Sequence, residues 1–330
     1  MNDVARHAGV GLKTVSRVVN GEPRVSPAML KKVLTAIEEL GFRPHEGARV
    51  LRRGRTACVG LVLGDVADPF YSVLTRAVER TARANGHLLF TASSEEDPEQ
   101  ERQLVQALCA GRVDGVIIVP TGGDHSYLAP DVAAGISVVF VDRPVQGIDA
   151  DVVLSANVDG ARQGVAHLIQ QGHRRIGYLG DAEKIFTAVE REQGYRRALA
   201  DAGLPYDPAL VARGRADPEF VHAGLQRMLD GPEPATAVFT GNNRTTVAVL
   251  RELAARGDRR TALVGFDDFE LADLLEPGVT VVAQDAAVLG RSAADLLFQR
   301  LGGDRSQAHT IEIPTRLIPR GSGEIPPATA

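Results

Sequence analysis

From residue 57 onward the chain alternates short apolar runs with amphipathic helical stretches, and this change of period limits its possible folds more than any single motif. Strand-like runs stand at Cys58 to Leu63, His87 to Ala92, Gly115 to Val119, Ser137 to Val141, Arg175 to Leu179, Ala235 to Phe239 and Ala262 to Gly265. Helical-period segments between them include Tyr71 to Ala84, Glu99 to Ala110, Gly160 to Gln171, Gln193 to Ala202 and Thr245 to Arg256. Alternation of this kind means βαβ units, with parallel sheets covered by helices on both faces. The strands are too many for one compact sheet. Two Rossmann-like lobes are therefore expected, with a ligand cleft at the carboxyl ends of their strands.

The 330 residues carry a net charge of −5, an average that conceals a division. Residues 1 to 57 hold eleven Lys and Arg against five Asp and Glu, leaving 26 against 37 elsewhere, so a +6 head is joined to a −11 body. That asymmetry points to a polyanion partner for the head. At 44% apolar and 24% charged, the composition is that of a globular chain long enough for two or three cores. No stretch approaches the roughly 20 consecutive apolar residues of a membrane span. Met1 to Gly9 show no basic-then-apolar export pattern, and two lone cysteines, Cys58 and Cys109, make no CxxC or disulfide framework. The expected compartment is a reducing cytoplasm.

Within the head, Val4, Ala5 and Ala8 recur at helical spacing before Gly9, a residue able to end a helix in the left-handed conformation. A second short helix, Leu12 to Asn20, follows at once and is stopped by Gly21. Two short helices joined by a tight turn make a helix-turn-helix, with Val4, Ala5, Ala8, Val15 and Val18 or Val19 packed inward. Lys13, Thr14, Ser16, Arg17 and Asn20 then point outward, and they suit a major groove: cationic or amide heads for base edges, hydroxyls for phosphates. A third helix, from Ser26-Pro27 to Leu40-Gly41, has a serine cap and an early proline, and brings Val33, Leu34, Ile37 and Leu40 to close a small core. A basic amphipathic helix alone is more often a solvated face than a DNA reader, so the order of helices carries the reading.

The run Asp3-Val4-Ala5, Ala8-Gly9-Val10, Thr14 to Gly21, Val25-Ser26 and Ala36 to Pro44 resembles the DNA-binding head of the LacI/GalR family of bacterial transcription regulators. The resemblance spans more than forty positions at fixed spacing. It places Leu12, Lys13 and Arg17 where the family reads base edges, and Thr14, Ser16 and Asn20 among backbone contacts. Gly11 departs from the serine usual at that cap, and the chain starts a few residues shorter than is usual. Residues 45 to 55, with Gly47 inside, are marginally helical by themselves. They resemble the family's hinge helix, which implies ordering on DNA and a minor-groove wedge at Leu51; a flexible basic linker is the alternative.

The body has no G-x-G-x-x-G after its first strand, no P-loop and no G-x-S-x-G elbow, and the eight histidines of the whole chain show no metal-ligand spacing. An enzyme, a resident cofactor and a metal site are therefore not expected. Asp68-Pro69-Phe70-Tyr71, Arg112 to Gly115, Val141 to Pro144, Gly172 to Ile176, Glu190-Arg191, Gly194-Tyr195, Val264 to Asp268 and Leu317 to Ser322 resemble the LacI/GalR effector domain, which shares its two-lobed fold with periplasmic sugar-binding proteins. The resemblance implies three crossings between lobes, near Asn157, Ala283 and Pro314.

Asp68, Phe70, Tyr71, Asp142, Arg143, Thr187, Arg191, Asn242 and Asp267 stand after strands or in loops that a ligand can reach. An Arg, an Asn and an Asp converging in a cleft offer planar donors and acceptors to vicinal hydroxyls, while Phe70 and Tyr71 offer apolar faces to a ring. The competing reading is that Asp267 and Arg191 are loop charges or an interlobe ion pair, and that Asp142 and Arg143 pair with each other or touch a second copy. Ala216 stands where related regulators often place an aromatic platform, Asn243 and Ala156 replace the usual Asp, and Ile185 gives no cationic group for a purine.

The expected fold is an all-α helix-turn-helix head with a hinge helix, followed by an α/β two-lobed, periplasmic-binding-protein-like (type I) effector domain. Its expected bounds are 1–44 for the head, 45–56 for the hinge and 57–330 for the effector and dimerisation domain. The first lobe takes 57–157 with 285–314, and the second 158–284 with 315–323. The expected function is repression of a sugar uptake or catabolic operon through a palindromic double-stranded DNA operator, controlled by a small sugar-like effector. A nucleobase or nucleoside sensor, or a non-catalytic sugar-binding protein, is the alternative. Glu324 to Ala330 carry no leucine heptad, so a homodimer is expected rather than a tetramer.

Overall fold

The computed structural model describes residues 1–19, 22, 25–42 and 56–327. It divides into two units, Met1–Thr56 and Ala57–Ala330. In the first, α1 (Asn2–Ala8), α2 (Leu12–Val19) and α3 (Pro27–Glu39) enclose Val4, Ala5, Val15, Val18, Val33 and Ala36. Gly9 closes α1 at φ +63°, a left-handed value that glycine adopts without steric penalty. Ser26 caps α3 by accepting from the Met29 N–H at 3.4 Å. The expected core needs one correction. Leu34 and Leu40 are 51% and 43% exposed, and Ala36 is buried in their place, because a three-helix head has neighbours for only one face of α3.

The second unit contains β1 (Cys58–Leu63), α4 (Pro69–Ala84), β2 (Leu88–Ser93), α5 (Pro98–Ala110), β3 (Gly115–Ile118), α6 (Ala129–Ala133), β4 (Ser137–Val141) and β5 (Asp151–Ser155). It continues through α7 (Asn157–Gln170), β6 (Ile176–Gly180), α8 (Phe186–Asp201), β7 (Val211–Arg213), α9 (Pro218–Leu229), β8 (Ala237–Thr240) and α10 (Asn243–Ala255). The last elements are β9 (Ala262–Phe266), β10 (Thr280–Ala283), α11 (Ala286–Leu301), β11 (Thr310–Ile313) and β12 (Arg316–Ile318). Among the described residues the strands form two six-stranded sheets, ordered β11-β5-β4-β3-β1-β2 and β12-β10-β9-β8-β6-β7.

The two orders are the same topology used twice, except that β11 runs parallel to β5 while β12 runs antiparallel to β10. The chain passes between sheets at Ala156, at Gln284–Asp285 and at Pro314–Thr315. Each incoming helix packs on the first helix of its lobe: α7 on α8, and α11 on α4. Glycine permits the close approach. A Cβ on Gly194 of α8 would lie 2.3 Å from the Val158 carbonyl oxygen, and one on Gly290 of α11 would lie 2.5 Å from that of Leu74.

Several elements exceed the sequence expectation. β5, β7, β10, β11 and β12 fall outside the expected strand-like runs; the last two are short, half-exposed edge pieces with little apolar signal. Helix α8 begins at Phe186 rather than Gln193, because its first turns bury Thr187, Arg191 and Glu192 and so break the apolar period.

Candidate functional site

The first candidate surface is α2. Leu12 is 49% exposed, Lys13 is exposed, and Thr14, Ser16 and Arg17 are partly buried along the same short helix. The Arg17 guanidinium lies 3.6 Å from the Glu22 carboxylate. Asn20 and Leu51 lie outside the described residues.

The second candidate is the cleft between the sheets. Its first wall starts where β4 ends. Asp142 follows with φ +72°, its N–H donating to the Val153 carbonyl at 2.8 Å, and its side chain is buried. Beside it, Arg143 is gripped by both Glu96 oxygens at 2.6 and 2.7 Å, and donates to the Pro120 carbonyl at 3.1 Å and the Tyr71 hydroxyl at 3.3 Å. Tyr71 donates in turn to Asp142 at 3.4 Å, and Phe70 meets its ring edge-on at 5.1 Å.

The opposite wall repeats the arrangement. Asp267 follows β9 at φ +69°, its N–H donating to the Val282 carbonyl at 2.9 Å. Left-handed backbone is uncommon outside glycine, with Asp and Asn among the residues that best tolerate it, so the pair marks two over-determined positions. Arg191 approaches Asp267 at 3.4 Å, donates to the Gly241 carbonyl at 2.7 Å and Asn157 at 2.9 Å, and lies 4.0 Å over the Phe266 ring. Gln284 donates to the other Asp267 oxygen at 2.6 Å. Thr187 is buried one turn before Arg191.

Asp68 and Asn242 both cap helices. Asp68 accepts from the Phe70 N–H at 2.9 Å to start α4, and Asn242 accepts from the Thr245 N–H at 2.7 Å to start α10. The Asn242 amide also donates to Asp181. An open cavity of about 510 Å³ adjoins Asp181 and is walled by Ala188, Val189, Glu192, Arg196 and Arg213.

Burial pushes the carboxyls of Asp142, Asp181 and Asp267 above the usual aspartate range, against the pull of nearby guanidinium groups. Asp142 Oδ1, Arg143 Nε, Asn243 Oδ1 and Gln284 Oε1 are buried without a hydrogen-bond partner. Each buried polar atom left without a partner costs about 1–3 kcal/mol. The cleft therefore brings together Asp68, Phe70, Tyr71, Asp142 and Arg143 on one side with Thr187, Arg191, Asn242 and Asp267 on the other. Glu96, Asn157, Asp181, Phe266 and Gln284 join them beyond the sequence expectation. Asp181 and Gln284 each stand directly after a strand, which is the signal that marks them.

A carboxyl raised in the folded state binds more protons there than when unfolded, so its contribution to stability falls as pH rises. Asp142→Asn keeps a side chain compatible with left-handed backbone and removes that titration. It is expected to stabilise the chain relative to the unsubstituted protein above pH 7, with the advantage vanishing as the pH is lowered. Thermal unfolding of both proteins across pH checks this, and a pH-independent difference contradicts the assignment.

Comparison with known proteins supplies the context. A family profile described as "Bacterial regulatory proteins, lacI family" matches residues 1–45, and a "Periplasmic binding protein-like domain" profile matches residues 165–323. The HTH-type transcriptional regulator CelR of Thermobifida fusca is 36% identical over 97% of both chains. The HTH-type transcriptional regulator GalR of Escherichia coli is 32% identical over 90% of this chain and 87% of its own. Among solved structures, a CelR–cellobiose complex is 34% identical with a TM-score of 0.72, covering 97% of this chain and 98% of that one. A lac repressor dimer bound to operator and the anti-inducer ONPF is 26% identical with a TM-score of 0.84, at the same coverage.

Proposed function

Because the chain belongs to the LacI/GalR family of bacterial transcription regulators, we propose that it represses a sugar uptake or catabolic operon under the control of a sugar-like effector bound between its lobes. It is a DNA-binding regulator and not an enzyme. The reading of the effector rests above all on the paired strand-end aspartates and on Arg191, whose guanidinium is held over the buried Phe266 ring: fixed planar donors and acceptors of the kind that suit vicinal hydroxyls. The cellobiose held by the related CelR complex agrees with that chemistry.

The regulator acts as a homodimer on a palindromic operator, in the cytoplasm where its DNA lies. In support of a dimer, Leu88 and Phe90 on the edge strand β2 are 68% and 51% exposed, and Leu271 and Leu274 in the other lobe are 57% and 71% exposed. Exposed apolar side chains, on an edge strand in the first lobe and in the segment between β9 and β10 in the second, favour association with a second copy. Among the described residues no helix is long and apolar enough to cross a membrane. If the effector weakens operator binding, the operator complex binds the effector more weakly by the same factor.

Thermal shift against cellobiose, galactose and other neutral sugars, with nucleosides as the comparison set, tests the effector class. A true effector at 100 times its Kd stabilises the chain by about 2.7 kcal/mol. Stabilisation by nucleosides alone moves the reading to a nucleoside sensor. No response to any member contradicts a sensing cleft.

A further inference from the structure

Two contacts cross the mouth of the cleft, and of their four residues only Asp68 belongs to the set assigned to the effector. The Asn243 side-chain amide, on the first turn of α10, donates to Asp68 at 3.1 Å, and the neighbouring Arg244 meets Asp65 at 2.7 Å. Asp65 and Asp68 lie on the loop that starts α4 in the first lobe, so both contacts run directly from one lobe to the other. Asn243 is buried, whereas the Arg244 and Asp65 side chains are 50% and 37% exposed. Arg215, after β7, adds a second positive charge toward Asp65. The rim of the second lobe is thus basic or neutral where it faces two carboxylates.

We propose that Asn243 and Arg244 form a rim clasp with Asp68 and Asp65 that sets how far the cleft is closed before any effector binds. An aspartate at 243 would face the Asp68 carboxylate and also add charge beside Asp267, to which the Asn243 backbone N–H is directed. Like charges at such range oppose closure, whereas the amide bridges the gap. The clasp rests on the reading of the cleft as an effector site, because the fraction of closed molecules scales apparent effector affinity directly.

The strength of an exposed ion pair sets the expected size. Such pairs are individually weak, so reversing the charge in Arg244→Glu should open the cleft by a factor of about three in population, more at low ionic strength than at high. Asn243→Asp should act in the same direction. Hydrogen exchange on the effector-free full-length protein reads the opening at the amides of residues 65–72 and 241–246. Arg244→Glu is expected to speed exchange at both segments, and the double change Asp65→Lys with Arg244→Glu to restore it. Circular dichroism and an unchanged core exchange pattern exclude global unfolding as the cause. Unchanged exchange in Arg244→Glu, or failure of the charge swap to restore it, overturns the clasp. Neither outcome touches the effector reading, which stands or falls on ligand-induced stabilisation.

Discussion

Arg191→Ala is expected to lower the melting temperature by roughly 10 °C and to abolish stabilisation by effector. The guanidinium joins Asn157, Gly241, Asp267 and the Phe266 ring, and its side chain is only 6% exposed. Removing one partner of a buried pair leaves the other charge uncompensated, which costs about 3–5 kcal/mol. In a domain of this size each kcal/mol corresponds to about 2–4 °C. The loss has a diagnostic pH dependence. Asp267, already raised by burial and with less cationic compensation in the variant, can escape the penalty by taking up a proton. The difference in melting temperature should therefore shrink as the pH falls. A change of less than 2 °C at neutral pH, or a large change independent of pH, contradicts the view of Arg191 as the electrostatic centre of the cleft.

The second large effect concerns DNA. Arg17→Ala should cost about 1–3 kcal/mol on the cognate operator and relax the preference at one half-site position, because a guanidinium reading a base edge is worth about that much. Binding to random-sequence DNA should change much less. In the free protein Arg17 faces Glu22, both side chains being about half exposed, so the pair is weak and can be exchanged for a base at little cost. Competition titrations with single-position operator variants separate the possibilities. Equal losses on operator and random DNA would reduce Arg17 to a phosphate contact.

Much of this architecture can be read from the residues, and the failures have identifiable causes. The helix-turn-helix is legible because Gly9 and the Ser26-Pro27 pair punctuate short helices at fixed intervals. Leu34 and Leu40 mislead because a helical period shows which residues share a face, not whether a neighbour covers that face. In the body, continuous apolar strands announce parallel sheets, and the residues following them, Asp142, Asn242 and Asp267, fall at the cleft by topology alone. The capture of Arg143 by Glu96 was not legible, since it depends on a loop in which Glu95 and Glu96 both take left-handed backbone, at φ +53° and +60°. Nor do residue types reveal that Asp68 and Asn242 each commit an oxygen to a helix N-terminus, leaving less for a ligand than their chemistry promises.

The threefold passage of the chain between sheets also governs the order in which the protein can fold as it is synthesised. Leu289, Ala293, Ala294, Leu296, Leu297 and Leu301 of α11 belong to the core of the first lobe, although that lobe's first strand begins at Cys58. The ribosome must therefore release more than two hundred residues after that strand before the core it belongs to can close. The second lobe likewise waits for Leu317 and Ile325 near the end of the chain. The head needs only residues up to Phe42 for its own core and can be native far earlier. A nascent chain of this protein thus passes through an interval in which the DNA-binding unit is complete while the sensing unit still exposes its apolar strands, the stage at which chaperones have most to bind.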